Sequence, residues 1–213
     1  MPISNFDGRT FVAFTDVSGF KEMMKDDKRA IRALDHFYTS GYSILRENPS
    51  IHGVFISDCA VLFVNNRDAQ DAQLRSLLPV IERLNRDLLE YDIMLTTSIA
   101  YGQFSYHQRL EFHGIEKNPV YGNAYLSAFF DNQSSQPRLQ PGECRIVKDE
   151  LENQLSGFDR LYDRGKYLYF YWMVAADAEV KLFDERYTDA YQQKYRGMLE
   201  ALKDAANNRL HSQ

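Results

Sequence analysis

Two aspartates, Asp16 and Asp58, are the residues best placed to do chemistry in this chain. Each borders a short apolar run rich in β-formers: residues 10–16 read TFVAFTD, and residues 51–65 read IHGVFISDCAVLFVN. Carboxylate oxygens are hard ligands. Two of them converging on one point, with a backbone carbonyl, suit Mg2+ or Mn2+. Such ions keep waters and take further ligands from phosphates, which fits them to phosphoryl transfer. Directly after Asp16 stands Val17-Ser18-Gly19-Phe20, a turn between a strand and a helical pattern. Backbone N–H groups at a helix start attract phosphate oxygens, and a glycine lets the backbone approach closely. Ser18, Gly19 and Phe20 are therefore expected substrate contacts, joined by Ser57 in the second run and Asn118 before a later helix. Taken singly, Asp16 reads equally well as a helix cap, and Asp58 reads first as a turn residue. Their pairing is what favours metal.

The elements that must position these residues follow from hydrophobic periodicity. Residues 10–16 are a buried central strand. A helix is expected over 19–47, where Leu34, Phe37, Tyr38, Tyr42 and Leu45 recur at three- and four-residue steps. Asn48-Pro49-Ser50 ends it. Residues 51–65 form a hairpin with Asp58 near its tip. A leucine-striped helix covers 67–90, and a strand covers 93–104, interrupted by Gly102. Residues 109–115 are expected to pair back on that strand. A short helix over 121–132, a strand and helix over 144–155, a strand over 166–174 and a helical tail from about 180 to 210 complete the chain. The pattern is that of an α+β fold, a mostly antiparallel sheet covered by helices, compatible with a ferredoxin-like βαββαβ core. In such a core the first strand and the hairpin are neighbours, so Asp16 and Asp58 meet. Residues 1–175 read as one catalytic domain, and residues 176–213 as a C-terminal helical extension.

Composition excludes several classes. With 213 residues, 44% hydrophobic and 26% charged, the chain suits one globular domain with appended elements. Its net charge of −5 offers no broadly basic face for nucleic acid. The two cysteines, Cys59 and Cys144, fit neither a zinc motif nor a disulfide framework. Apolar stretches fall far short of the roughly 20 residues that span a bilayer, and the N-terminus lacks a signal core. No membrane association and a cytoplasmic location are expected. The histidines show no metal-ligand spacing, and Cys59 reads as hairpin packing.

The ordered motifs resemble those of class III nucleotide cyclases. Phe14-Thr15-Asp16-Val17-Ser18-Gly19-Phe20 is similar to the D-[IVL]-x-G-F motif of that family, and Ser57-Asp58 to its Gly-Asp hairpin. Ser98–Gly102 resembles the G-I-x-x-G strand, and Tyr121–Ala128 the G-x-x-x-N-x-A helix. The resemblance implies two divalent ions held by Asp16, Asp58 and the Val17 carbonyl, a nucleoside triphosphate substrate, and a homodimer with composite sites. Two departures stand out. Leu126 and Phe130 occupy the positions of the family's catalytic Asn and Arg. Val54 stands where purine enzymes carry a base-reading Lys or Glu.

This variant pattern resembles the short pyrimidine cyclases of bacterial Pycsar anti-phage systems, through Ile99–Gly102, Gly122–Phe129 and Pro137-Arg138. It implies conversion of UTP, or less readily CTP, to the 3′,5′-cyclic monophosphate and pyrophosphate. Arg138 would stabilise charge, and the product would act on a separate effector. Two other readings stay open: an adenylate or guanylate cyclase with altered base contacts, and a catalytically inactive nucleotide-binding module.

Overall fold

A computed structural model describes residues 4–107, 109–112, 115–117, 119–151, 155, 157–191 and 194–208. The core begins with β1 (Phe6–Val17), a single turn α1 (Phe20–Met23), helix α2 (Asp27–Glu47), the hairpin β2 (Ile51–Ile56) and β3 (Cys59–Val64), helix α3 (Gln70–Leu89) and β4 (Leu95–Tyr106). β1 pairs antiparallel with β3 on one side and with β4 on the other, and β2 pairs with β3. The strand order β2-β3-β1-β4 with helical crossovers is the expected βαββαβ arrangement.

β1 alternates between two cores. Phe11, Ala13 and Val17 point into a large cluster covered by α2 and α3, while Val12 and Phe14 point into a second cluster on the other face. Burial on both faces explains why the run is continuously apolar rather than alternating. The second face is covered by α4 (Asn123–Asn132), which lies close because Ala124 and Ala128 sit against the sheet. Gly102 permits that approach: a Cβ there would stand 2.7 Å from the Asn123 side chain. β4 therefore runs through Gly102 without interruption.

Beyond the core, β8 (Cys144–Val147) joins β4 in parallel, and the hairpin β9 (Leu161–Arg164) and β10 (Tyr167–Phe170) extends the sheet. Helices α5 (Asp177–Tyr191) and α6 (Lys194–Asn208) form a C-terminal hairpin. Their residues Val180, Phe183, Met198 and Leu202 belong to the same buried cluster as α3.

Several local expectations are corrected. The helix expected over 19–47 is broken, because the Asp26 carboxylate accepts from the N–H groups of Lys28 (3.0 Å) and Arg29 (3.3 Å) and starts α2 afresh. Among the described residues of 109–115, none pairs back on β4. β5 (Arg109–Phe112) pairs with β6 (Ile115–Lys117) in a separate ribbon, and β7 (Val120–Tyr121) takes the place beside β4. The strand expected over 166–174 ends at Phe170, and Tyr171 closes onto Arg160 through its backbone N–H (2.9 Å). The helix expected after Val147 opens as a turn at Asp149-Glu150, and its continuation falls partly on 152–154, outside the described residues.

Candidate active site

Strand register brings the two aspartates together. Asp16 on β1 lies opposite Cys59 on β3 and Thr96 on β4. Ser57 and Asp58 form the two-residue turn of the hairpin, with Ser57 at φ 53°. That tip is pinned twice. The Val17 N–H donates to the Asp58 carbonyl (2.9 Å), and the Tyr38 hydroxyl donates to the Ser57 carbonyl (2.9 Å). Donor atoms of Asp16, Asp58 and Cys59 consequently lie within 4.8 Å of one another. The Cys59 thiol donates to Asp16 Oδ1 (3.0 Å).

Burial raises the Asp16 carboxyl above the usual carboxylate range; the Cys59 thiol lowers it, and the charge of Asp58 raises it further. A cation held between the carboxylates would relieve both the burial penalty and the repulsion. The donor set, two carboxylates with a thiol beside them, fits a divalent ion. The oxygens suit Mg2+ or Mn2+, and the sulfur is a softer donor.

Asp16, Ser18, Gly19 and Arg138 line one open cavity of about 370 Å³. Thr96 and the segment Asn132–Ser135 at the end of α4 supply further polar wall. Gly19 holds the left-handed conformation (φ +76°) that carries the chain from β1 into α1. The Ser18 hydroxyl is buried and has no hydrogen-bond partner among the described residues. An unsatisfied buried hydroxyl costs on the order of 1–3 kcal/mol, which a ligand oxygen would offset. Because α1 is only one turn long, a helix dipole adds little here; Ser18 and Gly19 themselves line the cavity.

The remaining sequence candidates fall elsewhere. Phe20 is 4% exposed within the large core, so its side chain packs rather than facing the cavity. Ser57 is exposed at the hairpin tip. Asn118 lies outside the described residues. Val54 packs against the second core from β2. Leu126 and Phe130 stand out from α4, 47% and 65% exposed.

Sequence reasoning missed two features. Cys59 is a third member of the aspartate cluster; its place directly after Asp58 was the available signal. The second is a buried ion pair beneath the cavity wall. Arg145 on β8 donates from Nε and Nη2 to the two carboxylate oxygens of Asp131 on α4, both at 2.8 Å. The Ser98 hydroxyl donates to the same carboxylate (2.6 Å). This pair anchors the end of α4, where the Asn132 amide donates to the Thr96 carbonyl (3.2 Å).

No family model matches the chain, and no curated protein matches it in sequence. Solved structures do resemble it. The guanylyl cyclase Cya2 superposes with a TM-score of 0.59 at 12% identity, covering 78% of this chain and 93% of that one. The adenylyl cyclase CyaB from P. aeruginosa gives 0.53 at 13% identity, covering 78% and 94%. The guanylate cyclase domain of RhGC from Catenaria anguillulae, solved in complex with GTP, gives 0.56 at 11% identity, covering 78% and 96%. Identities this low speak for the fold. The chain has the mixed α+β fold of class III cyclase domains, with an open, mostly antiparallel sheet. Among the described residues, no helix is long and apolar enough to cross a membrane.

Proposed function

We propose that the chain is a metal-dependent nucleotide cyclase acting on a pyrimidine nucleoside triphosphate, UTP before CTP. The observation that carries this reading is one cavity lined by Asp16, Ser18 and Arg138, with a donor atom of Asp58 within 4.8 Å of Asp16, in a fold shared with guanylyl and adenylyl cyclases. Asp16, Asp58 and the Val17 carbonyl would hold Mn2+ or Mg2+. Ions held there would supply Lewis-acid chemistry, easing deprotonation of the ribose 3′-hydroxyl and offsetting phosphate charge. Ser18 and the Gly19 turn bind the triphosphate. The 3′-oxygen forms a bond to the α-phosphorus and loses its proton to solvent. The bond from the α-phosphorus to its bridging oxygen breaks, and pyrophosphate leaves. Arg138 donates to phosphate oxygens as charge develops; one contact of this kind contributes about 3–4 kcal/mol.

Pyrimidine preference is supported by Val54, whose apolar side chain packs into the second core. It offers nothing to a purine edge. The enzyme acts in the cytoplasm as a homodimer with composite sites, and its cyclic product serves a separate effector in anti-phage defence. A second reading, a purine cyclase, is favoured by the solved neighbours, which are guanylyl and adenylyl cyclases.

Incubating the protein with each of ATP, GTP, CTP and UTP plus Mn2+, and resolving products by chromatography and mass, separates these readings. A cyclic monophosphate from UTP or CTP alone is expected, lost in Asp58→Asn with folding retained. A cyclic purine product selects the second reading. No product from any nucleotide removes both.

A further inference from the structure

The C-terminal hairpin reaches the cavity from behind at two places. Tyr195 on α6 lays its ring beside Gly19: a Cβ on that glycine would stand 3.6 Å from the ring. The Tyr195 hydroxyl donates to the Asp92 carbonyl (3.0 Å), and Lys203, two turns on, forms an ion pair with the Asp92 carboxylate. The same loop holds the other side of the turn, since the Ser18 N–H donates to the Met94 carbonyl (2.8 Å). Ser18 and Gly19 are thus clamped between the 92–94 loop and the Tyr195 ring. The Tyr187 hydroxyl of α5 donates to the carbonyl of Pro141, which also lines the cavity.

Tyr195 meets the cavity lining at Gly19, so its influence on chemistry runs through the turn. Glycine in a left-handed turn has little intrinsic preference for one conformation. A turn that must hold a buried hydroxyl for phosphates needs an external brace to stay in place. We propose that Tyr195 is a positioning residue for the phosphate-binding turn, and that the α5–α6 hairpin sets the spacing of the two backbone walls of the cavity. The inference rests on the reading that a triphosphate occupies this cavity.

Two variants of the full chain test it. Tyr195→Phe keeps the ring and removes the hydrogen bond; Tyr195→Ala removes both. Binding of inorganic tripolyphosphate with Mn2+ is measured by calorimetry, alongside KM and kcat for the nucleotide turned over and the thermal midpoint. Loss of one hydrogen bond is expected to weaken tripolyphosphate binding and raise KM by about three- to ten-fold. Loss of the ring as well is expected to raise this beyond about ten-fold, with kcat changed by less than about two-fold. Phe restoring most of the affinity lost in Ala supports a ring brace. Unchanged KM and tripolyphosphate affinity with a lowered midpoint would overturn the proposal, because a purely structural role moves only stability. If Tyr195→Ala does not fold, Tyr195→Phe decides. Tripolyphosphate binding without turnover of any nucleotide sinks the cyclase reading but leaves the brace testable by affinity. No tripolyphosphate binding by the unaltered chain sinks both.

Discussion

Replacing Asp131 with asparagine leaves the Arg145 guanidinium, 0% exposed, without a counter-charge. Arginine does not deprotonate in proteins, so it has no neutral form to fall back on. The carboxylate it loses makes two 2.8 Å charge-assisted bonds and accepts a third from Ser98. An asparagine presents an NH2 where one of those acceptors stood. The Tyr167 ring, whose centroid lies 4.2 Å from the guanidinium, and the Tyr169 hydroxyl, at 3.3 Å, compensate only in part. Breaking a buried pair from one side costs about 3–5 kcal/mol. For a chain of this size each kcal/mol corresponds to about 2–4 °C, so a fall of about 6–20 °C in Tm is expected. Urea unfolding gives the same loss as a lower midpoint at unchanged slope. The double variant Asp131→Leu, Arg145→Met removes both charges and should recover much of the loss. A single variant within about 1 kcal/mol of the unaltered chain, or a double variant no better than the single, would refute the view that an uncompensated charge is the cause.

Two further outcomes follow from local geometry. Gly122→Ala places a Cβ 2.2 Å from the Gln103 carbonyl oxygen and 2.8 Å from Phe104 Cα, at φ +125°. Backbone cannot yield as a side chain does, so a loss above about 2 kcal/mol is expected in urea unfolding; a neutral effect contradicts the seating of α4. Burial pushes the Glu143 carboxyl up from 4.5 to about 6, against the pull of the Gln140 N–H it accepts at 2.7 Å. Because the folded value is the higher one, this stability is fully present below the unfolded value and is lost as pH rises through about 6. Glu143→Gln does not titrate, so its Tm relative to the unaltered chain should rise by an amount equivalent to about 2 kcal/mol between about pH 4 and about pH 7.5. A constant difference across that range counts against the buried carboxylate.

The long elements were legible because their signals are local. The apolar run ending at Asp16 marked β1, the leucine stripe marked α3, and the split run around Ser57-Asp58 marked the hairpin. Shorter pieces were not. β9 has exposed, polar positions and no run to announce it, and β5 and β6 pair with each other rather than with the main sheet. The break before α2 turned on one carboxylate choosing backbone N–H groups at Lys28 and Arg29 over solvent.

For the candidate site, sequence alone determined which residue types stand at the ends of which strands, because burial period and turn chemistry act over a few residues. That sufficed to pair Asp16 with Asp58. Tertiary structure decided what surrounds them. Register set Cys59 opposite Asp16, packing of α4 on the sheet set Asn132–Ser135 against Arg138, and the C-terminal hairpin set Tyr195 beside Gly19. Partners such as Asp131 and Arg145, or Tyr195 and Asp92, are joined by distance-dependent contacts between segments far apart in the chain. Their spacing carries no period, so only folding brings them into view.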